Sequence, residues 1–132
     1  MAIRVVQLGS RRSPGEGTRL GTVRRPPRGV RKADFAARDY FDVWLPELAP
    51  SQEVVSWASS ERWTDARWRQ FTRRYHKEMD EPHARHLIEL LATLSQQTSF
   101  SVGCYCDDAT RCHRSLLRAL LADAGASLVD DE

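Results

Sequence analysis

The segment from Cys104 to Ser115 concentrates the residues of this sequence that are suited to chemistry. It reads Cys-Tyr-Cys-Asp-Asp-Ala-Thr-Arg-Cys-His-Arg-Ser. Thiols attack electrophiles and bind soft metals, imidazole transfers protons, and guanidinium groups clamp phosphates or carboxylates. These residue types support three functional interpretations, which we weigh in turn.

The first interpretation is a site for an anionic or nucleotide-like ligand. The segment lies between a predicted strand and a predicted helix, where parallel α/β folds bind ligands and where a helix start offers free N–H groups. Arg111, Arg114 and Ser115 would bind the ligand, and His113 would act as acid, base or hydrogen-bond donor. Arg28, in the basic segment Arg24–Lys32, would close the site from the other side.

The second interpretation is a thiol nucleophile, with Cys106, Cys112 and His113 as the catalytic residues. A cysteine near a helix start and arginines has a lowered pKa and is reactive. We expect Cys106 or Cys112 to be alkylated before Cys104. Against this interpretation, Asp107 and Asp108 would repel both a thiolate and an anionic substrate.

The third interpretation is a metal site made by Cys104, Cys106, Cys112 and His113, all of which are zinc-ligand types. Their spacing is not the usual pair of Cys-x-x-Cys motifs. We therefore expect no metal and no cofactor, and we expect Cys104 to be a core hydrophobe. Without any function, the segment would be packing cysteines followed by capping groups.

Length and composition favour a single globular domain over residues 1–132. Hydrophobic residues make up 41% of the chain and charged residues 29%, which is ordinary globular composition. The sequence has no apolar run of the ~18 residues that a membrane helix needs, and its N-terminus is unlike a signal peptide. We expect a cytoplasmic protein with reduced cysteines and no membrane partner.

Charge is unevenly distributed along the chain. Residues 1–38 hold ten Arg and Lys residues against two acidic ones, whereas the remainder is net acidic. Such a basic segment either attracts phosphates, including those of nucleic acid, or folds back on the acidic remainder. The residue pattern leaves these alternatives open.

Periodicity and turn residues predict four main strands and four helices. A stripe of Trp68, Phe71, Tyr75 and Met79 has helical spacing and indicates a buried face. The predicted strands are 3–8, 19–24, 40–45 and 100–105, with a last short strand in 126–129. The predicted helices begin after Ser51, begin at 64–65, and span 82–96 and 113–124. This order favours a small, mostly parallel sheet with helices packed on it, followed by a frayed acidic tail from Asp130 to Glu132.

Three blocks resemble the YeaO-like bacterial family, also called domain of unknown function 488. They are Pro-Arg-Gly-Val-Arg-Lys at 27–32, Trp-Leu-Pro-Glu-Leu-Ala-Pro-Ser at 44–51 and Phe-Thr-Arg-Arg-Tyr at 71–75. The resemblance spans about Arg4 to Leu121, and Cys112-His113-Arg114 is similar to an element of the wider family. It implies a compact bacterial α/β protein but supplies no activity.

The sequence thus favours a bacterial protein that binds a phosphorylated or nucleotide-like ligand at the Cys104–Arg114 turn, with enzymatic activity left open. One alternative is a non-catalytic nucleic-acid-associated module that uses the basic N-terminal segment. The other is a structural or interaction protein without pocket chemistry. Ligand identity and oligomeric state are left open as well.

Overall fold

The computed structural model describes residues 1–130 of the chain, apart from the side chain of Ala109. Four strands, β1 (Ile3–Gln7), β2 (Thr18–Gly21), β3 (Val43–Trp44) and β4 (Phe100–Cys104), form one sheet in the order β1-β4-β2-β3. All three pairings are parallel. The predicted α/β class with a small parallel sheet is therefore confirmed; residues 131 and 132 of the expected frayed tail lie outside the described residues.

Four α-helices pack with this sheet: α1 (Gln52–Ser59), α2 (Asp65–Met79), α3 (Pro82–Leu94) and α4 (His113–Asp123). Side-chain caps define two of their starts, since Ser51 accepts a hydrogen bond from the Val54 amide and Thr64 from the Arg67 amide. α3 begins with Pro82, whose fixed φ suits a first helical position. Three short 3₁₀ turns occupy Lys32–Asp34, Pro46–Leu48 and Ala109–Arg111.

The main core lies between one face of the sheet and the helices. Val5, Leu20 and Val102 contribute from three neighbouring strands, and the stripe of α2 predicted from its spacing contributes Phe71, Tyr75 and Met79 as buried residues. A second, smaller cluster contains Leu8, Val23, Phe41, Cys104 and Cys112. Burial of Cys104 at 1% exposure confirms its predicted place in the core.

Two predicted strands are shorter by two or more residues in the structure, two others end one residue earlier than predicted, and the last predicted strand is a single bridge. The predicted strand 40–45 is reduced to Val43–Trp44, because a turn with positive φ at Asp39 precedes it and Pro46 starts a 3₁₀ turn after it. β2 ends at Gly21 rather than at residue 24. In the segment 126–129, Leu128 forms an isolated bridge to Ile3.

Part of the basic N-terminal segment is neutralised inside the fold. Arg19 is fully buried, and its Nε lies 2.8 Å from a carboxylate oxygen of Glu16. Arg24 donates to the carbonyls of Pro46, Ala49 and Pro50. Arg19 and Arg24 thus bind partners inside the fold, but among the residues that the structure describes neither forms an ion pair with a carboxylate of the acidic remainder. Arg25 and Arg28 remain exposed.

None of the helices in the described part of the chain combines the length and apolar character required to cross a membrane.

Candidate functional site

A cleft of about 880 Å³ opens beyond the carboxyl ends of the central strands. β4 ends at Cys104 and its neighbour β2 ends at Gly21, so the segments that follow both strands leave the sheet at one edge. Gly103 allows β4 to lie close to β1, because a Cβ there would be 2.6 Å from the Val6 carbonyl oxygen. The cleft therefore sits at the ligand-binding edge of a parallel sheet.

Three cysteines converge at this cleft. The Sγ atoms of Cys104, Cys106 and Cys112 all lie within 4.8 Å of one another, and all three residues line the cleft. They come from the end of β4, the following turn and the N-cap of α4. The turn between β4 and α4 folds back and so brings the three sulfurs together, although their spacing in the sequence is not that of paired Cys-x-x-Cys motifs.

The cysteines differ in exposure. Cys106 is exposed, whereas Cys104 and Cys112 are buried. The sequence did not distinguish Cys106 from Cys112 as the more accessible thiol; in the structure, the Cys112 side chain lies in the second core cluster. Among these three cysteines, Cys106 is the one whose sulfur a reagent in solvent can reach.

The thiol cluster favours a negative charge on Cys106. Hydrogen bonds from Cys104 and Cys112 lower the pKa of Cys106 to about 3, and the positive charge of the nearby Arg114 acts in the same direction. The hydrogen bond to Cys106 is the main cause that raises the pKa of Cys104, to about 11. Interaction with Cys104 is the main cause that raises the pKa of Cys112. One thiolate is thus stabilised by two protonated neighbours.

His113 is buried and held by the backbone. Its Nε2 lies 2.6 Å from the carbonyl oxygen of Thr22. Because a carbonyl only accepts, Nε2 carries the proton and donates it. Burial lowers the pKa of His113, which favours a neutral ring. Nδ1 then carries a lone pair, and it lies 3.9 Å from the Cys112 sulfur.

The arginines predicted as ligand clamps have different environments. Arg28 is exposed and lines the cleft. Arg111 also lines it, with Nη2 2.6 Å from Asp65 and Nη1 3.1 Å from the Thr64 carbonyl. Arg114 instead points inward, with Nη1 3.4 Å from the Val6 carbonyl and 3.9 Å from the Cys104 sulfur. Arg28 and Arg111 thus share one concave surface with His113.

Ser115 and the aspartates of the turn make local structural contacts. The Ser115 hydroxyl donates to the Cys112 carbonyl. Asp107 accepts from the Gln7 side chain, and Asp108 accepts from the backbone amide and hydroxyl of Thr110. The two aspartates therefore stabilise the turn through these bonds.

Several residues of this region were not singled out from the sequence as parts of the site. Thr22 is fully buried and binds His113 through its carbonyl, which no sequence pattern reveals. Tyr40 and Tyr105 meet edge to face, with ring centroids 6.3 Å apart, and the Tyr105 hydroxyl donates to the Arg25 carbonyl. Trp63 and Phe71 line another part of the cleft, whereas the spacing of Phe71 indicated only a buried helix face. The aromatic run around residue 40 predicted a strand and did not identify Tyr40 as a cleft residue.

The charged side chains that line the cleft are all positive. Arg24, Arg25, Arg28 and Arg111 line it, and no carboxylate occurs among the described residues of its wall. The start of α4 also faces this space through Cys112 and His113, and the Cys112 side chain does not cap the helix. The arrangement suits a ligand that carries negative charge.

The fold places this protein in the α/β class, with its cleft at the edge of a parallel sheet. Within that class, the chain belongs to the DUF488-N3a family, whose model, described as the active DUF488-N3 subclade, matches residues 3–125. This match confirms the resemblance carried by the sequence blocks. No curated protein and no solved structure matches the chain in the corresponding comparisons.

Proposed function

We propose that the cleft binds a small phosphorylated or nucleotide-like ligand. The observation that carries this proposal is the joint lining of one cleft by four arginines and several aromatic rings, without a carboxylate among the described lining residues. Guanidinium groups bind phosphate oxygens through paired N–H donors. Aromatic rings provide flat surfaces for a planar base.

Arg25 and Arg28 are the arginines best placed for direct contact with such a ligand. Both are exposed, and Arg25 makes one side-chain hydrogen bond, through Nε to Gln52. Arg111 already binds Asp65 and would contribute mainly through its charge. Arg24 is occupied by three backbone carbonyls and shapes the wall.

The size of the cleft supports a ligand of this class. Its volume of about 880 Å³ falls in the range of roughly 300–1,000 Å³ usual for small-molecule sites. The exposed Cys106 and the pair Cys112 and His113 lie along the same wall. Together with the family description as an active subclade, this placement supports chemistry on the bound ligand.

The test is thermal unfolding with inorganic phosphate, sulfate or a mononucleotide. At a ligand concentration about tenfold above its dissociation constant, we expect the melting temperature to rise by roughly 4–6 °C. The double variant Arg25→Ala with Arg28→Ala should lose most of this rise. Arg114→Ala is unsuited to the test because that side chain is buried against Val6 and Cys104.

The matched control is Arg73→Ala with Arg85→Ala, which removes two exposed charges outside the cleft. It should keep the full rise in melting temperature. A wild-type protein that none of the three anions stabilises would refute the proposal. An equal loss in the control would show that the effect is general charge screening.

A further inference from the structure

The three cysteine sulfurs at the cleft are arranged as ligands of one metal ion would be. Their mutual distances are all within 4.8 Å. A tetrahedral ion with metal–sulfur bonds of about 2.3 Å holds its thiolates about 3.8 Å apart. Small rotations of the cysteine side chains therefore suffice to close the group on an ion. The sulfurs belong to a strand end, a turn and a helix start, so three successive parts of the chain position them.

His113 offers the fourth ligand. Its Nε2–H group is used by the Thr22 carbonyl at 2.6 Å, which leaves the lone pair on Nδ1, and this atom lies 3.9 Å from the Cys112 sulfur. A metal-bound histidine commonly donates its second ring N–H to a backbone carbonyl, which sets the tautomer and the ring orientation. The Thr22 contact has this form.

The surroundings of the cluster suit a soft divalent cation. Three thiolates around a doubly charged ion leave one net negative charge. The Arg114 guanidinium, 3.9 Å from the Cys104 sulfur, is placed to balance it. Thiolate and imidazole ligands select zinc-like ions over calcium or magnesium, which prefer oxygen.

We propose that Cys104, Cys106, Cys112 and His113 form a binding site for a thiophilic divalent cation such as Zn²⁺ at the wall of the cleft. The exposed Cys106 leaves this site open toward the cleft. The proposal is independent of the anion proposal, because its ligands are the cysteines and His113 rather than Arg25 and Arg28.

The test is anaerobic titration of the reduced full-length protein with Co²⁺, followed by displacement with Zn²⁺. Tetrahedral cobalt bound by thiolates shows sulfur-to-metal charge-transfer and intense visible bands. We expect both to saturate at one ion per chain and to disappear when Zn²⁺ is added. No such bands in the reduced, folded protein would refute the site.

The decisive variant is Cys106→Ser, because Cys106 is exposed and its replacement leaves the core intact. In this variant we expect weaker sulfur-to-cobalt charge-transfer bands and an affinity for Co²⁺ that is lower by roughly tenfold or more. The control is His83→Ala with His86→Ala, which removes two exposed histidines of α3. It should bind Co²⁺ like the wild type.

The double variant Arg25→Ala with Arg28→Ala separates the two proposals, since it should keep the cobalt spectrum while losing anion stabilisation. The assignment of the metal site would be overturned if Cys106→Ser bound Co²⁺ as the wild type does. It would also be overturned if the His83 and His86 control lost Co²⁺ binding. In that case the buried Cys104 and Cys112 serve only as packing groups, and any metal binds elsewhere.

Discussion

His113 donates its Nε2 proton to the main-chain oxygen of Thr22 across 2.6 Å. This bond ties the first residue of α4 to the residue that follows β2, across a sequence separation of 91. It connects the two segments that flank the cleft and determines which ring nitrogen faces the cysteines.

The first prediction concerns this bond. His113→Phe keeps a planar ring but leaves the buried Thr22 carbonyl without its donor. We expect the free energy of unfolding to fall by about 1–3 kcal/mol, measured by urea denaturation. His86→Phe, on the exposed face of α3, should change it much less. Equal effects of the two substitutions would mean that the Thr22 bond adds no stability.

The second prediction concerns thiol reactivity in the reduced, metal-free protein. Cys106 should be alkylated well before Cys104 and Cys112, because it is exposed and they are buried. Timed iodoacetamide labelling followed by peptide mass spectrometry measures the order. Bound Zn²⁺ should slow labelling of Cys106. Equal labelling rates for the three cysteines in folded protein would contradict the burial seen at this cleft.

The third prediction concerns acid stability and Glu16. Burial raises the pKa of Glu16, but hydrogen bonds from Arg19 and Ser101 outweigh it and lower the pKa from 4.5 to about 2. The Glu16 carboxylate therefore binds a proton more tightly in the unfolded state than in the folded state. The free energy of unfolding that Glu16 contributes is lost as the pH falls from about 4.5 to about 2. Urea unfolding across this pH range measures the loss.

Glu16→Gln is the matching variant for this effect. At neutral pH it should be less stable than the wild type by about 3 kcal/mol, because it leaves the buried Arg19 without its partner charge. The difference should narrow as the pH falls, since the wild type then loses the same charge. Glu89→Gln, exposed on α3, should follow the wild type. A constant difference across the range would show that Glu16 does not titrate as described.

The fourth prediction separates a small ligand from nucleic acid as the anionic partner. Mononucleotide binding through directed hydrogen bonds in the cleft should weaken by roughly tenfold or less between 50 and 200 mM salt. A nucleic acid held by six or more phosphate contacts would lose about 10³-fold or more over the same range. Fluorescence anisotropy with a labelled mononucleotide and a labelled oligonucleotide makes the comparison. Tight, strongly salt-dependent oligonucleotide binding without mononucleotide binding would favour the basic N-terminal segment as a nucleic-acid surface.

Local patterns were sufficient to predict the helices and the class of fold. The stripe of α2 and the capping residues Ser51 and Thr64 act within a few residues of one another, so the sequence displays them directly. The turn at Cys104–Arg114 was also identified correctly as a strand-to-helix connection, because strand and helix periodicities meet there.

Side-chain environments depended on contacts between distant segments. Arg114 points to Val6 rather than into the cleft, Glu16 accepts a hydrogen bond from the Ser101 hydroxyl, and Cys112 is buried while Cys106 is exposed. The three sulfurs converge because the turn between β4 and α4 folds back. The tautomer of His113 depends on the carbonyl of Thr22, the residue that follows β2. Such pairings arise because the sheet places residues from both ends of the chain side by side, which residue spacing along the chain does not encode.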